Sequence, residues 1–253
     1  MRDIEAYEKE YKARSFELFK VEYRRKKILE VIHRHEPANL LEIGCGLEPL
    51  FKYTSLPFEN YVIVEPGKSF CENALDLATK NNSKVKVYNE FFSPNKELKQ
   101  YKFDMIICSS LLHELENPIE MVNGIAEICT PESIVHFNVP NANSFHRILA
   151  TSLNMVETTK ELTELNIKFQ QKRVFDMIEL KKLVSEKFEI IESGDYFMKP
   201  FTHSQMMKMM DYGIIDHDIL DGLYKMTEYM PGFGSEIYIN CCLNDEDGLK
   251  GAK

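Results

Sequence analysis

The sequence predicts an α/β protein: a seven-stranded, mostly parallel sheet with an antiparallel last strand, helices on both faces, and a helical lid. Three observations predict it. Short apolar runs alternate with helical stretches as far as Pro140. The first run ends in Glu42-Ile43-Gly44-Cys45-Gly46, a turn where glycine admits backbone angles that other residues resist. The second ends on an acid, Glu65, roughly 20 residues beyond the glycines. Strands alternating with helices imply parallel pairing through right-handed crossovers.

The elements follow in order. Residues 2 to 35 read as helix, with Ile4, Tyr7, Tyr11 and Leu18 on one face; the apolar register shifts near Ser15, so two helices are allowed. Leu40–Ile43 and Tyr61–Val64 are the first two strands, each a continuous apolar run suited to burial on both faces. Pro49 reads as a first-turn helix residue, where its missing N–H costs nothing. A helix spans 68–80, and Lys84–Tyr88 is a short third strand with period-two alternation. The fourth strand is Phe103–Cys108, a helix runs from Pro118 to about Cys129, and Ile134–Val139 is the fifth strand.

After Pro140 the pattern changes. Residues 141–172 are polar and helix-prone, with Leu149, Leu153 and Val156 at helical spacing. Asp176–Lys187 is a helix whose start carries a capping box, Asp176 with Glu179. Phe188–Glu192 and Glu236–Leu243 read as an antiparallel pair at the sheet edge, separated by a methionine-rich insert (Met206, Met207, Met209, Met210) and a helix from Asp216 to Tyr229. The expected organisation is one domain over 1–253, with an N-terminal helical segment (1–36), a lid made by 141–172 and 196–234, and a frayed tail from Asn244.

Composition narrows the function. The net charge of −9 argues against nucleic-acid binding, which needs lysine and arginine to neutralise phosphates. No apolar run approaches the ~20 residues that span a bilayer, and the charged start, Met1–Glu5, lacks the apolar region of a secretory leader. The six cysteines form no Cys-x-x-Cys pair, so reduced thiols in a cytoplasmic protein are expected and no metal site is. The basic run Arg24-Arg25-Lys26-Lys27 reads as a solvated helix face.

The glycine turn is not a phosphate loop, because no Gly-Lys-Ser/Thr follows. As a dinucleotide fingerprint it lacks the third glycine, where Pro49 stands. What remains is a site for a ribose, through Glu65, and for a small cationic group near Glu42.

These motifs resemble those of the class I, Rossmann-like S-adenosylmethionine (SAM)-dependent methyltransferases. Glu42-Ile-Gly44-Cys-Gly46 is similar to their first motif and Val64-Glu65-Pro66 to their second. Asn89-Glu90-Phe91 resembles the adenine-edge motif, and Phe103 to Glu114 the fourth-strand segment. Val139 to Arg147 and Phe197 to Phe201 resemble a subgroup often associated with bacterial polysaccharide and sugar-nucleotide pathways. The resemblance implies methyl transfer from SAM, with S-adenosylhomocysteine as product. The expected acceptor is a small polar metabolite such as a sugar, sugar nucleotide or capsule precursor, with or without a phosphate or phosphoramidate group, methylated on oxygen.

The expected roles follow. Gly44, Cys45 and Gly46 let the backbone approach the methionine part of the donor, and Glu42 orients its ammonium. Glu65, beside Pro66, accepts hydrogen bonds from the ribose hydroxyls; the competing reading makes it a cap for the next helix. Asn89 or Glu90 meets the adenine amino group, Phe91 lies against the ring, and Ser109 lines the sulfonium pocket or merely ends its strand. A base is expected among His113 and His146, unless each holds only a structural hydrogen bond; His136, inside a strand, is expected in the core. Asn141, Asn143 and His203 are acceptor-side candidates. Two or more of Arg147, Arg173 and Lys199 facing the crevice would favour an anionic acceptor. The alternatives are an NAD-dependent oxidoreductase or epimerase on the same fold, disfavoured by Pro49 and the lack of a Tyr-x-x-x-Lys pair after the fifth strand, and a non-catalytic SAM-binding partner.

Overall fold

The computed structural model describes residues 3–12, 15–81 and 84–244, and side chains from position 19 onward within these limits as well as those of 3–9. The expected fraying of the tail lies outside the described residues. The N-terminal segment divides as the register shift allowed, into α1 (Ile4–Lys12) and α2 (Ser15–His35).

Seven strands form one sheet: β1 (Asn39–Ile43), β2 (Asn60–Val64), β3 (Val85–Tyr88), β4 (Met105–Ser109), β5 (Ile134–Pro140), β6 (Phe188–Tyr196) and β7 (Glu236–Leu243). Their order is β3-β2-β1-β4-β5-β7-β6. The first five pair in parallel, and β7 runs antiparallel to both β5 and β6. The chain builds β1 to β3 outward in one direction, then returns to place β4 on the other side of β1. That reversal opens a crevice beyond the carboxyl ends of β1 and β4.

Helices cover both faces. One face packs Leu41, Ile43, Val62, Ile106 and Phe137 against α5 (Pro118–Ile128) and α8 (Met177–Val184). The other packs Leu40, Ile63, Met105 and Ile107 against α2 and α3 (Lys68–Lys80). α3 meets the sheet because Phe70, Ala74 and Ala78 recur every four residues on one face and are all buried. Asp176 caps α8 as expected: its carboxylate accepts from the Glu179 N–H at 2.8 Å, and Glu179 accepts from the Asp176 N–H at 3.3 Å.

Several expectations needed correction. Pro49 does not open an α-helix; it precedes a single 3-10 turn, Leu50–Tyr53, and has extended angles (φ −59°, ψ 143°). β6 extends to Tyr196 because β7 pairs with it along its length, with a bulge between Ile190 and Glu192. The 141–172 stretch folds only into α6 (Phe145–Ser152) and the short α7 (Glu164–Lys168). The methionine-rich insert forms α9 (His203–Asp211), and the helix expected from Asp216 is present as α10 (His217–Lys225), with Asp216 as its N-cap. Met206 is fully buried with Tyr23, Tyr196, Phe197, Leu220 and Tyr224, so these helices share a small core with α2.

The basic run on α2 is not a solvated face. Arg24 is 8 % exposed and pairs with Glu236, fully buried on β7; its Nε donates at 3.0 Å and its Nη2 to the second carboxylate oxygen. Asn138 Nδ2 and the Tyr196 hydroxyl also donate to Glu236, at 2.8 and 3.1 Å, and Lys20 lies 3.5 Å away. Burial works to raise the Glu236 pKa, but the charges of Arg24 and Lys20 prevail and hold it at about 2. His136 is a core residue as expected: its Nδ1 lies 2.7 Å from Asn240 Oδ1, and burial pushes its pKa down to about 4.

Candidate functional site

A cavity of about 900 Å³ lies at the carboxyl ends of β1, β2, β4 and β5. That volume is in the range of small-molecule sites.

Its floor is the glycine turn after β1. Gly44 has φ +78° and Gly46 φ +57°, and the Gly44 N–H donates to the Val64 carbonyl at 2.9 Å. A side chain at Gly44 would be strained by that angle and would meet Leu111 at 3.4 Å. The turn is bound to its neighbour by Glu65, whose two oxygens accept from Gly46 N–H at 3.2 Å and Gly67 N–H at 2.7 Å. Glu65 thus does brace the start of α3, the competing reading of the sequence, and it does so while lining the cavity.

Glu42 stands one strand away, 4 % exposed. It accepts from the Tyr61 hydroxyl at 2.6 Å and the Leu50 N–H at 3.2 Å, which anchors the 3-10 turn. Burial pushes its pKa up to about 7, against the pull of the Tyr61 and Leu50 hydrogen bonds.

Thirteen of the expected site residues line the cavity: Glu42, Gly44, Cys45, Gly46, Glu65, Pro66, Phe91, Ser109, Asn141, His146, Arg147, Lys199 and His203. Five do not. Asn89 turns back to donate to the carbonyls of Glu65 and Pro66, both at 3.0 Å. Glu90 and Asn143 are exposed outside it. His113 is 1 % exposed, in a 3-10 turn after β4 with its Nε2 4.0 Å from Glu114, and it is Glu114 that reaches the cavity. Arg173 donates through Nη2 to the Glu116 and Leu115 carbonyls, at 2.7 and 3.3 Å.

Two of the lining residues have much of their hydrogen-bonding capacity committed. Asn141 donates to the carbonyls of Gly232 and Gly234, at 3.0 and 2.8 Å, and accepts from Asn143 N–H at 2.9 Å. Arg147 donates to the carbonyls of Thr159 and Glu161, holding the loop after α6. His146 differs: its Nδ1 is buried and makes no hydrogen bond. Burial, and then the charges of Lys199, Lys20, Arg147 and His203, hold its pKa well below the usual histidine value, so the ring is neutral.

Sequence reasoning did not foresee the contribution of α1 and α2. Ile4, Tyr7, Lys20, Arg24 and Arg25 all line the cavity. α1 is held in place where the Asp3 N–H donates to Gln170 Oε1 at 2.8 Å, Gln170 Nε2 donates to the Asp3 carbonyl at 2.7 Å, and the Ser69 hydroxyl donates to Glu8 at 2.7 Å. The available signal was spacing: Lys20, Arg24 and Lys27 recur at i, i+4 and i+7, on one helix face. Gly67 was also unread; a Cβ there would lie 2.7 Å from Glu8 and 2.9 Å from Glu65.

Comparison with known proteins agrees with this geometry. Residues 20–184 match the family described as methyltransferase domain. The curated ubiquinone biosynthesis O-methyltransferase of Rickettsia bellii is 25% identical over 118 residues, 45% of this chain and 48% of that protein. The chain therefore spans about half the length of the curated relatives it matches. Three solved structures share the fold. A SAM-dependent methyltransferase from Clostridium acetobutylicum has a TM-score of 0.55 at 10% identity, covering 88% of this chain and 92% of that one. The plantazolicin methyltransferase BpumL, with S-adenosylhomocysteine, has 0.55 at 17%, covering 89% and 86%. The N-methyltransferase NodS of Bradyrhizobium japonicum, also with S-adenosylhomocysteine, has 0.51 at 11%, covering 88% and 86%.

The fold and the site define a class I methyltransferase. The chain belongs to the methyltransferase domain family, whose methyl donor is SAM. The residues present fit that donor: a glycine turn open to close approach, and two buried carboxylates on adjacent strand tips. Among the described residues no helix is long and apolar enough to cross a membrane, and no three His, Cys, Asp or Glu side chains are grouped to hold a metal.

Proposed function

We propose that this chain is an O-methyltransferase acting on a small polar metabolite, with His146 as the base. When bound, SAM supplies a methyl group on a sulfonium and leaves as S-adenosylhomocysteine once an acceptor oxygen has taken the methyl. Glu65 would hold the ribose hydroxyls, Glu42 the ammonium, and the turn from Gly44 to Gly46 the methionine part. Phe91 and Ser109 line the remainder of the donor side.

The observation that carries the assignment of the base is the Nδ1 of His146, buried, neutral and without a hydrogen-bond partner in the cavity wall. A neutral imidazole can take the proton of an acceptor hydroxyl. His113, behind Glu114, supports the turn after β4 in this reading; the Lys172 N–H donates to its carbonyl at 2.9 Å. Segments 141–172 and 196–234 supply much of the acceptor side, through His146, Arg147, Phe169, Lys199 and His203. A sugar, sugar nucleotide or capsule precursor is the acceptor class that the resemblance of Val139 to Arg147 and Phe197 to Phe201 implies; its support is the polar character of that wall.

The test is accumulation of S-adenosylhomocysteine with a panel of hydroxyl-bearing metabolites, repeated with His146→Asn. Loss of about 10²- to 10⁴-fold in kcat is expected, with S-adenosylhomocysteine affinity retained. Unchanged kcat removes His146 as the base. Donor binding without turnover on any acceptor favours a non-catalytic SAM-binding protein.

A further inference from the structure

Arg24 and Arg25 are neighbours in sequence with different fates. Arg24 pairs with Glu236. Arg25 points along another face of α2. Val21, Arg25 and Ile28 recur at i, i+4 and i+7, and all three line the cavity. Ile28 packs in one cluster with Cys45 of the glycine turn and with Leu50 and Phe51 of the 3-10 turn. Arg25, one turn before Ile28, is therefore carried to the edge of the turn that follows β1.

There its guanidinium is held flat. The Arg25 Cζ lies 3.7 Å from the centre of the Tyr53 ring. Tyr53 is itself fixed, because its hydroxyl donates to Glu48, which also accepts from Lys52 Nζ at 2.8 Å. Glu48 is thus engaged by two donors of its own turn. Arg25 Nε is buried without a hydrogen-bond partner, and among the described residues no carboxylate is paired with Arg25. A buried donor in that state costs stability that a ligand oxygen can return. A stacked, planar fork is also the geometry that suits a carboxylate.

The methyl donor and its product both carry an ammonium and a carboxylate on one carbon. An acid that takes the ammonium therefore leaves the carboxylate to be met close by. Glu42 is that acid in the reading above, and Arg25 is the cation whose charge bears on it. We infer that Arg25 binds the carboxylate of the donor's methionine part through its guanidinium fork. This rests on the methyltransferase reading and adds a residue to its donor site. The amino-acid end of the donor is then recognised by a pair of opposite charges, Glu42 from β1 and Arg25 from α2.

The probes are S-adenosylhomocysteine and its decarboxylated analogue, which keeps the adenosine, the sulfur and the amine. Both are titrated calorimetrically into the parent protein, Arg25→Met and Arg25→Lys. The parent is expected to bind S-adenosylhomocysteine about 10- to 100-fold more tightly than the analogue. Arg25→Met should lose that factor for S-adenosylhomocysteine and leave the analogue's affinity within about twofold. Arg25→Lys keeps the charge without the fork, and it should weaken S-adenosylhomocysteine alone. If Arg25→Met does not fold, Arg25→Lys and the parent's preference between the two ligands decide. The inference is overturned if the parent binds both ligands equally, or if the substitutions weaken both by the same factor or neither. Failure of the parent to bind either ligand overturns the methyltransferase reading instead.

Discussion

Glu42 makes a quantitative prediction about donor binding. Burial holds its carboxyl at about 7, so near neutral pH the unliganded site is a mixture of protonated and ionised forms. An ammonium placed beside it favours the ionised form, and the proton leaves. If the bound pKa returns to the ordinary carboxylate range, binding should release about 0.5 proton per site at pH 7, about 0.9 at pH 6 and about 0.1 at pH 8. The same linkage weakens affinity about tenfold from pH 8 to pH 6. The assay is calorimetric titration of S-adenosylhomocysteine in phosphate and in Tris, whose different ionisation heats report protons released. Glu42→Gln keeps an oxygen for Tyr61 and Leu50 but has no proton to lose, so its release should vanish. Release near zero for the parent at pH 6, or equal release from Glu42→Gln, would refute the placement of Glu42 against the ammonium.

Three other outcomes follow from the geometry. Glu65→Ala removes the acceptor of Gly46 and Gly67 N–H, so S-adenosylhomocysteine affinity should fall and chemical denaturation should show a loss of about 1–3 kcal/mol; affinity equal to the parent's would remove Glu65 from the donor site. Arg24→Met leaves Glu236 buried beside fewer partners and should cost about 3–5 kcal/mol by the same measurement. Glu236, held at about 2, contributes stability that is complete above the unfolded carboxylate pKa and lost as pH falls through about 2, whereas Glu42, raised to about 7, makes stability fall as pH rises from about 4.5 to 7. Each carboxyl is worth about 3 kcal/mol, and denaturation of Glu236→Gln and Glu42→Gln across pH should flatten the acid limb and the neutral limb respectively.

What was legible in the chain was local. The run Leu40–Ile43 followed by two glycines specifies a buried strand and a turn, because both depend on neighbours along the backbone. The Asp176–Glu179 box specifies the start of α8 within one helical turn. The place of Glu65 beside the glycine turn was legible because a strand tip and its neighbour are related by a fixed crossover length.

The rest was decided by partners far away in sequence. Arg24 reads as a surface charge until Glu236, 212 residues later, is folded beneath it. Asn89 and Arg173 are polar residues at sensible positions, yet carbonyls that the tertiary fold brings near take their hydrogen bonds. The string of letters favours His113 over His146 as the base, and only packing puts Glu114 before the first and leaves the second in the cavity wall. The sequence by itself determined the sheet, the glycine turn and the acids at the tips of the first two strands, since these follow from periodicity and short spacings. The tertiary structure alone decided which cations and which histidines share the cavity, since burial and charge pairing are set by contacts between distant segments.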